Sequence, residues 1–593
     1  MKFLWTYVRK YAFIILGGML IKLSGSALEL LIPYVMEHLI DNIVPQERLS
    51  LVCLWGGLML ILAVAVRFLN VTANRLSVRT AKRSIYEIRR DLFHTALNLT
   101  GNQMDQVTLP SLISRLTSDT YNVQSFIQSV QTIGIRAPIL LIGGITVTLS
   151  MDRGLALILC IMAPILIALV VFVSMRGIPL YEKVQQGMDQ IVRIMRENIS
   201  GIRVVKALSK EPFEIQRFSE ANKETARRDI RASVTMAMPG PIVTLFLNMG
   251  LTLVVIFGAR RVNAGLTKPG VILAFLTYFN MIMMGVMGLN RVFMMLSKAN
   301  TSANRIASVI NIPEDLAQIP PEAGARTERS GFIVFDHVTF SYDSTASSSS
   351  PFSKPDDSTR FAGSSRQVCL SDIDFTIPKG GSLGIIGATG SGKTTIVNLL
   401  MRFYDPEKGH VFINGQDVRT MDKDELHRMF GVVFQNDAIF ADSIRENIVF
   451  GREVDDAGLA SALEDARAAD FVMQYEDGPD HLAAIHGSNF SGGQRQRLLI
   501  ARALAAKPEI LILDDASSAL DYRTDASLRQ SIREHYGDTT LIVIAQRVSS
   551  IMNLDEIIVI DEGRMIGRGT HETLLQTCPA YREIHETQMG EVD

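Results

Sequence analysis

The stretch that decides the fold is GATGSGKTT, residues 387–395. It follows the strand-like run SLGII and opens the helix-like run KTTIVNLLMRFY. A Gly-rich turn between a strand and a helix is the context of a phosphate-binding loop. Gly387, Gly390 and Gly392 let the backbone wrap closely round phosphates with its N–H groups pointing inward. Lys393 is placed to reach β- and γ-phosphates, and the Thr394 hydroxyl to ligate Mg²⁺. Thr389, Ser391 and Thr395 complete the nucleotide-binding stretch. A chance Gly-rich turn is the bland alternative, and the flanking strand and helix argue against it.

Working outward, EILILDD (509–515) is an apolar strand ending in acid, so Asp514 emerges at its tip and can hold the Mg²⁺ shell. Between the two lies NFSGGQRQRLLIARALAAKPEI. Ser491, Gly492, Gly493 and Gln494 start a long basic helix whose free N–H groups and positive dipole end suit an anion. Standing alone, SGGQ would read as an ordinary helix cap.

The rest of the chain is different in kind. Its 593 residues imply more than one domain at roughly 100–200 residues each. Apolar residues make up 47% and charged residues 20%, too apolar for an ordinary soluble enzyme. The net charge of −2 removes bulk basicity as an argument for nucleic-acid binding. Cys53, Cys160, Cys369 and Cys578 are far apart, which excludes a metal-ligand spacing, a disulfide framework and a small secreted scaffold. Six apolar stretches approach the ~20 residues needed to cross a bilayer: 11–36, 51–70, 133–150, 155–175, 239–257 and 271–295. The first is too long and too polar-ended for a cleaved signal.

Lys2, Arg9 and Lys10 precede the first stretch, and Arg79, Lys82, Arg83, Arg89 and Arg90 follow the second. Both ends are therefore expected in the cytoplasm. Arg260, Arg261 and Lys268 make a short basic outer loop that breaks this rule. The cytoplasmic runs RSIYEIRRDLFHTALNL and IPLYEKVQQGMDQIVRIMRENI have apolar residues at three- and four-residue spacing. They read either as solvated amphipathic helices or as downward extensions of the membrane helices. Residues 311–330 are polar and Pro-rich, a linker. Residues 343–368 are rich in Ser, Pro and Asp and read as a disordered insertion.

Taken together, these motifs and their order resemble the ATP-binding cassette (ABC) transporter superfamily. GATGSGKTT resembles Walker A, FSGGQ the signature, LILDD Walker B and SALD (518–521, with Asp521) the D-loop. Tyr342 in FSY matches the adenine-stacking aromatic. Gln435 in VVFQNDAIF matches the Q-loop, a Mg²⁺ ligand alongside Thr394 and Asp514. The N-terminal half resembles the exporter membrane domain, with LISRLTSDTYNVQSF and ENISGIRVVKALSKEPFEIQRF as its coupling regions. The resemblance implies a multi-domain chain: a six-helix all-α transmembrane domain over 1–310, then an α/β P-loop ATPase domain of ABC type over 331–593. It also implies ATP and Mg²⁺ as cofactors, a cell-membrane location, a half-size exporter of multidrug type, and a second exporter half as partner.

Departures from the family pattern sharpen the reading. After Walker B the family has Glu, and this chain has Asp515. One methylene less withdraws the carboxylate by ~1.5 Å, and ~1 Å of misplacement can cost ~100-fold in rate. The family's H-loop His is Gln546, which can hydrogen-bond but cannot carry charge or relay a proton. The SGGQ signature stays intact apart from Phe490 for Leu, while Ile485 replaces an acidic residue upstream. By the family's geometry, in which ATP lies between Walker A of one chain and the signature of the other, this chain carries a degenerate site and completes a good one on its partner. This resembles the degenerate-site subunit of heterodimeric bacterial exporters.

For the transport path, Tyr278, Met283 and Met287 offer a soft surface for hydrophobic ligands, or else they pack between helices. Lys22 and Glu29 are costly in hydrocarbon and are candidates to face a cavity. The expected cargo is hydrophobic or amphipathic: drug-, lipid- or peptide-like. The alternatives are a homodimeric lipid flippase and a largely non-catalytic, ATP-switched regulator or channel.

Overall fold

Fully apolar helix surfaces and an acid-tipped parallel strand cannot share one core, and the chain accordingly divides. In the computed structural model, Met1–Asn98 with Leu109–Ile312 form one unit, and Leu99–Thr108 with Pro313–Asp593 form another. The structure describes residues 2–313, 316, 318–320, 325, 327, 329–342, 368–435 and 437–589. The expected insertion lies outside the described residues except for Val368, which already opens a strand. Part of the expected linker also lies outside them.

The first unit is helical. Among the described residues it contains α1 (Ala12–His38), α2 (Leu49–Leu97), α4 (Thr120–Pro138), α5 (Arg153–Ser200), α6 (Ile202–Ala207), α7 (Glu211–Ala237), α8 (Pro239–Asn263) and α9 (Pro269–Ile310). Among the described residues, six helical spans are long and apolar enough to cross a membrane. A helix satisfies every backbone group within itself, which the bilayer core demands. At 1.5 Å per residue, α2 and α5 are each about 70 Å long, far beyond the ~30 Å of hydrocarbon. The two amphipathic runs thus continue the membrane helices without a break.

Polar side chains tie these helices together. Lys22 on α1 donates to Asn70 at 2.7 Å and Asn74 at 3.1 Å on α2. Glu29 pairs with Arg136 of α4 at 2.7 Å. The basic loop between α8 and α9, anomalous by charge, finds partners within this unit. Arg261 pairs at 3.0 Å with Asp152, the N-cap of α5, and Lys268 donates to Asn42 at 2.6 Å. Two of the candidates for the transport path are packed inside this unit. Tyr278 is fully buried, with its hydroxyl donating to the Leu30 carbonyl at 2.6 Å. Met283 is buried in the apolar cluster with Phe275, Phe279 and Val286. Both lie against neighbouring helices, held by dispersion contacts and, for Tyr278, by that hydrogen bond. Met287 remains 47% exposed.

The second unit is α/β. Strands β1 (Ile333–Ser341), β2 (Val368–Ile377), β4 (Lys408–Ile413) and β5 (Gln416–Asp417) make an antiparallel sheet ordered β2-β1-β4-β5. Strands β3 (Ser382–Gly387), β6 (Phe430–Val433), β7 (Ile510–Asp514), β8 (Thr540–Ile544), β9 (Glu556–Asp561) and β10 (Arg564–Gly569) form a second sheet. Its order is β10-β9-β3-β8-β7-β6, parallel except for β10 against β9. Two apolar clusters make the core, which is why β7 reads as a continuous apolar run.

The segment 112–126 stays with the helical unit, and Leu99–Thr108 is what groups with the ATPase unit. It holds the short helix α3 (Gly101–Val107), started by a Thr100–Gln103 capping box. Tyr404 donates to Asp105 at 3.2 Å, and Gln103 donates to the Pro313 carbonyl at 2.8 Å.

Candidate functional site

Strands β6, β7, β8 and β3 lie side by side and parallel, and their carboxyl ends gather the predicted residues at one sheet edge. Ligand sites of open α/β sheets lie at such edges. Gln435 follows β6, Asp514 ends β7 with Asp515 next, Gln546 follows β8, and the Gly-rich loop follows β3.

The loop runs from β3 into α10 (Lys393–Leu400). Gly390 (φ +83°) and Gly392 (φ +102°) occupy left-handed conformations, which side chains disfavour. A Cβ on Gly387 would lie 2.0 Å from the Ile560 carbonyl. We therefore expect Gly387→Ala to destabilise this unit by about 1–3 kcal/mol or more, read as a lowered thermal midpoint. Lys393 Nζ donates to the loop's own carbonyls, Gly387 at 2.9 Å and Ala388 at 2.7 Å. Burial pushes its amine down, opposed by Asp514 and Asp515. The buried Ser391 hydroxyl has no hydrogen-bond partner among the described residues. A cation turned onto carbonyls and an orphan hydroxyl fit phosphate oxygens as partners.

The Thr394 hydroxyl donates to Asp514 at 2.9 Å. Burial pushes the Asp514 carboxyl up, with that hydrogen bond opposing. Thr394 and Asp514, with the nearby Gln435, supply the hard oxygen donors that Mg²⁺ prefers. Asp515 has φ +52°, and its N–H donates to the Ile544 carbonyl at 2.9 Å. Burial raises its carboxyl, opposed first by a hydrogen bond from Gln435. Gln546 Nε2 donates to Asp515 Oδ2 at 3.4 Å. The two departures from the family pattern are therefore in contact.

Tyr342 is held edge-on by Phe340 and Tyr404, and its hydroxyl lies 3.1 Å from Thr395 Oγ1. Ser491 caps α11 (Gly492–Leu504) in a reciprocal box, its Oγ accepting from the Gln494 N–H at 3.2 Å and the Gln494 carboxamide accepting from the Ser491 N–H at 2.9 Å. Gly492 and Gly493 lie close to Ala519, at would-be Cβ distances of 3.4 and 3.2 Å. Asp521 caps α12 (Tyr522–His535) and is held below the usual carboxylate range by the Thr524 backbone and hydroxyl. Sequence reasoning missed Gln496, which fastens α11 to the D-loop. Its amide donates to Ser518 at 3.1 Å, and its carbonyl accepts from the Ala519 N–H at 2.9 Å. No motif spacing marks it, since it is one polar residue in a polar helix turn.

This geometry has matching relatives. The family model described as the ABC transporter transmembrane region matches residues 14–287, and the one described as ABC transporter matches residues 370–518. An uncharacterized ABC transporter ATP-binding protein of Mycobacterium tuberculosis (strain CDC 1551 / Oshkosh), MT1311, is 31% identical over 98% of this chain and 97% of its own. The chain belongs to the ABC transporter family. The relative YfiB of Bacillus subtilis (strain 168), also an uncharacterized ABC transporter ATP-binding protein, is 30% identical over 99% of this chain and 98% of its own. A solved bacterial Atm1-family ABC exporter with ATP bound shares the fold at TM-score 0.77 and 22% identity, over 98% of this chain and 99% of that one. This ABC transporter is thus an ATP-binding transport ATPase that spans the membrane several times. With one membrane domain and one ATPase domain it is a half-size chain, which pairs with another half.

Proposed function

We propose that this chain is the degenerate-site half of a heterodimeric exporter, with its N-terminus and ATPase domain in the cytoplasm of the cell. The observation that carries the reading is the contact between Asp515 and Gln546. A catalytic base needs a free carboxylate within reach of the water it activates. Here the carboxylate is one methylene short and accepts hydrogen bonds from Gln546 and Gln435. Gln546 cannot become cationic to stabilise developing charge. The elements for holding ATP are complete: the loop backbone, Lys393, the Thr394–Asp514 pair for Mg²⁺, and Tyr342 for adenine. The signature helix is also well formed, with its N-terminus free to serve a partner's nucleotide.

The proposed cargo is hydrophobic or amphipathic, drug-, lipid- or peptide-like. Met287 is exposed on α9, and the Glu29–Arg136 pair keeps partial exposure, so these are the path residues to vary first. Purified alone, the chain should bind ATP with little hydrolysis, and co-expression with its partner half should restore turnover. Robust cooperative hydrolysis by the isolated chain would overturn the reading.

A further inference from the structure

The last described helix, α13 (Pro579–Met589), carries Tyr581, His585 and Gln588 at i, i+4 and i+7, one stripe of an α-helix. Tyr581 and His585 are buried, and the Tyr581 hydroxyl lies 2.7 Å from His571 Nδ1. That seat fixes the helix without help from Gln588. One turn further, the same stripe brings Gln588 to the loop after β8, where both ends of its carboxamide are used. Nε2 donates to the Gln546 carbonyl at 2.7 Å, and Oε1 accepts from the Val548 N–H at 2.8 Å. A side chain here does what a neighbouring strand's peptide group would do for two backbone groups that need partners.

The clasped loop is the one that reaches the nucleotide site. Gln546 donates to Asp515 at 3.4 Å, and Arg547 donates to the Ser518 carbonyl of the D-loop at 3.4 Å. Arg547 lies between the two clasped peptide groups. Holding those groups fixes the backbone from which both side chains reach. We infer that Gln588 is a positioning residue for the nucleotide site: through its two-point clasp, α13 sets where Gln546 and Arg547 stand against Asp515 and Ser518. The bland alternative makes the clasp a fastening for the helix end, which the Tyr581 seat already provides. The inference does not depend on whether this site hydrolyses ATP.

The test uses the full-length protein. Gln588→Met keeps the side chain's length and removes both hydrogen bonds. Without nucleotide, amide exchange over residues 545–550 should quicken about tenfold, while Ile510–Asp514 in β7 exchanges as before. Labelled ATP should then leave this site severalfold faster. Gln588→Glu keeps the acceptor for Val548 and loses the donor, so it should fall between. Gln588→Asn keeps the amide but is short by ~1.5 Å, and it supplies the same comparison if the Met variant folds poorly. Unchanged exchange over 545–550 would overturn the clasp. Faster exchange with unchanged ATP release would overturn the positioning role and leave Gln588 a fastening. A chain that binds no ATP at all would count against the nucleotide site, while the exchange result would still decide the clasp.

Discussion

Ser491→Asn is expected to remove most of the ATP turnover of the assembled pair while leaving this chain's fold intact. Asn caps a helix about as well as Ser, so the box with Gln494 has a substitute and the thermal midpoint should hardly move. What changes is the group offered at the N-terminus of α11, a small hydroxyl replaced by a bulkier amide where a partner's γ-phosphate is proposed to sit. Losing one preorganised donor to developing charge costs ~100–1,000-fold in rate, and a loss of that size is the expected result. Asp515→Asn is the control at the other site. Asn tolerates the φ of +52° found there, so strain does not confuse the comparison. A working base contributes ~100–10,000-fold, whereas this substitution should cost the pair less than about tenfold. Steady-state ATPase assays on the co-purified pair, with thermal unfolding of each variant, read both effects. If the two came out in reverse order, the degenerate site would belong to the other chain.

What could be read from the sequence follows from how local each signal is. The Gly-rich loop is legible because left-handed glycines, a lysine and a hydroxyl at fixed spacing are needed within nine residues. Asp515 and Gln546 are legible as residue types, but their contact is not. They are 31 residues apart and meet only because β7 and β8 are paired neighbours. The same holds for Lys22, whose charge stands out in an apolar run while its partners Asn70 and Asn74 come from the next helix. Tyr278 and Met283 suit either a ligand surface or helix packing, since an aromatic and a thioether serve both. Their burial on α9 depends on which helices pack beside it, and residue type does not carry that information. Gln496 and Gln588 carry no motif at all, since a polar residue on a polar turn looks like solvated surface until a backbone partner appears beside it.

Lys393→Ala is expected to empty this site of nucleotide and to impair transport, even though the site is proposed to hydrolyse little. In the structure the ammonium is spent on the carbonyls of Gly387 and Ala388, and burial already pushes its pKa down. A phosphate chain is the stronger partner for that cation, so binding should turn it away from the loop. Hydrogen bonds to charged groups are worth about 1.5–3 kcal/mol, so affinity should fall by roughly 10- to 100-fold. The remaining groups at the site favour occupancy over rate, because binding that is no stronger in the transition state does not accelerate hydrolysis. ATP should therefore stay here through several turnovers of the other site, keeping the two cassettes in partial contact, so that full separation is unnecessary in each cycle. The Ala variant, by emptying the site, should lose that contact and slow transport. Trapping labelled ATP during turnover and identifying the nucleotide in each site checks the argument. ATP should predominate here and ADP at the partner's site. ADP formed here as fast as there would show that Asp515 and Gln546 support hydrolysis, and the proposed asymmetry would fail.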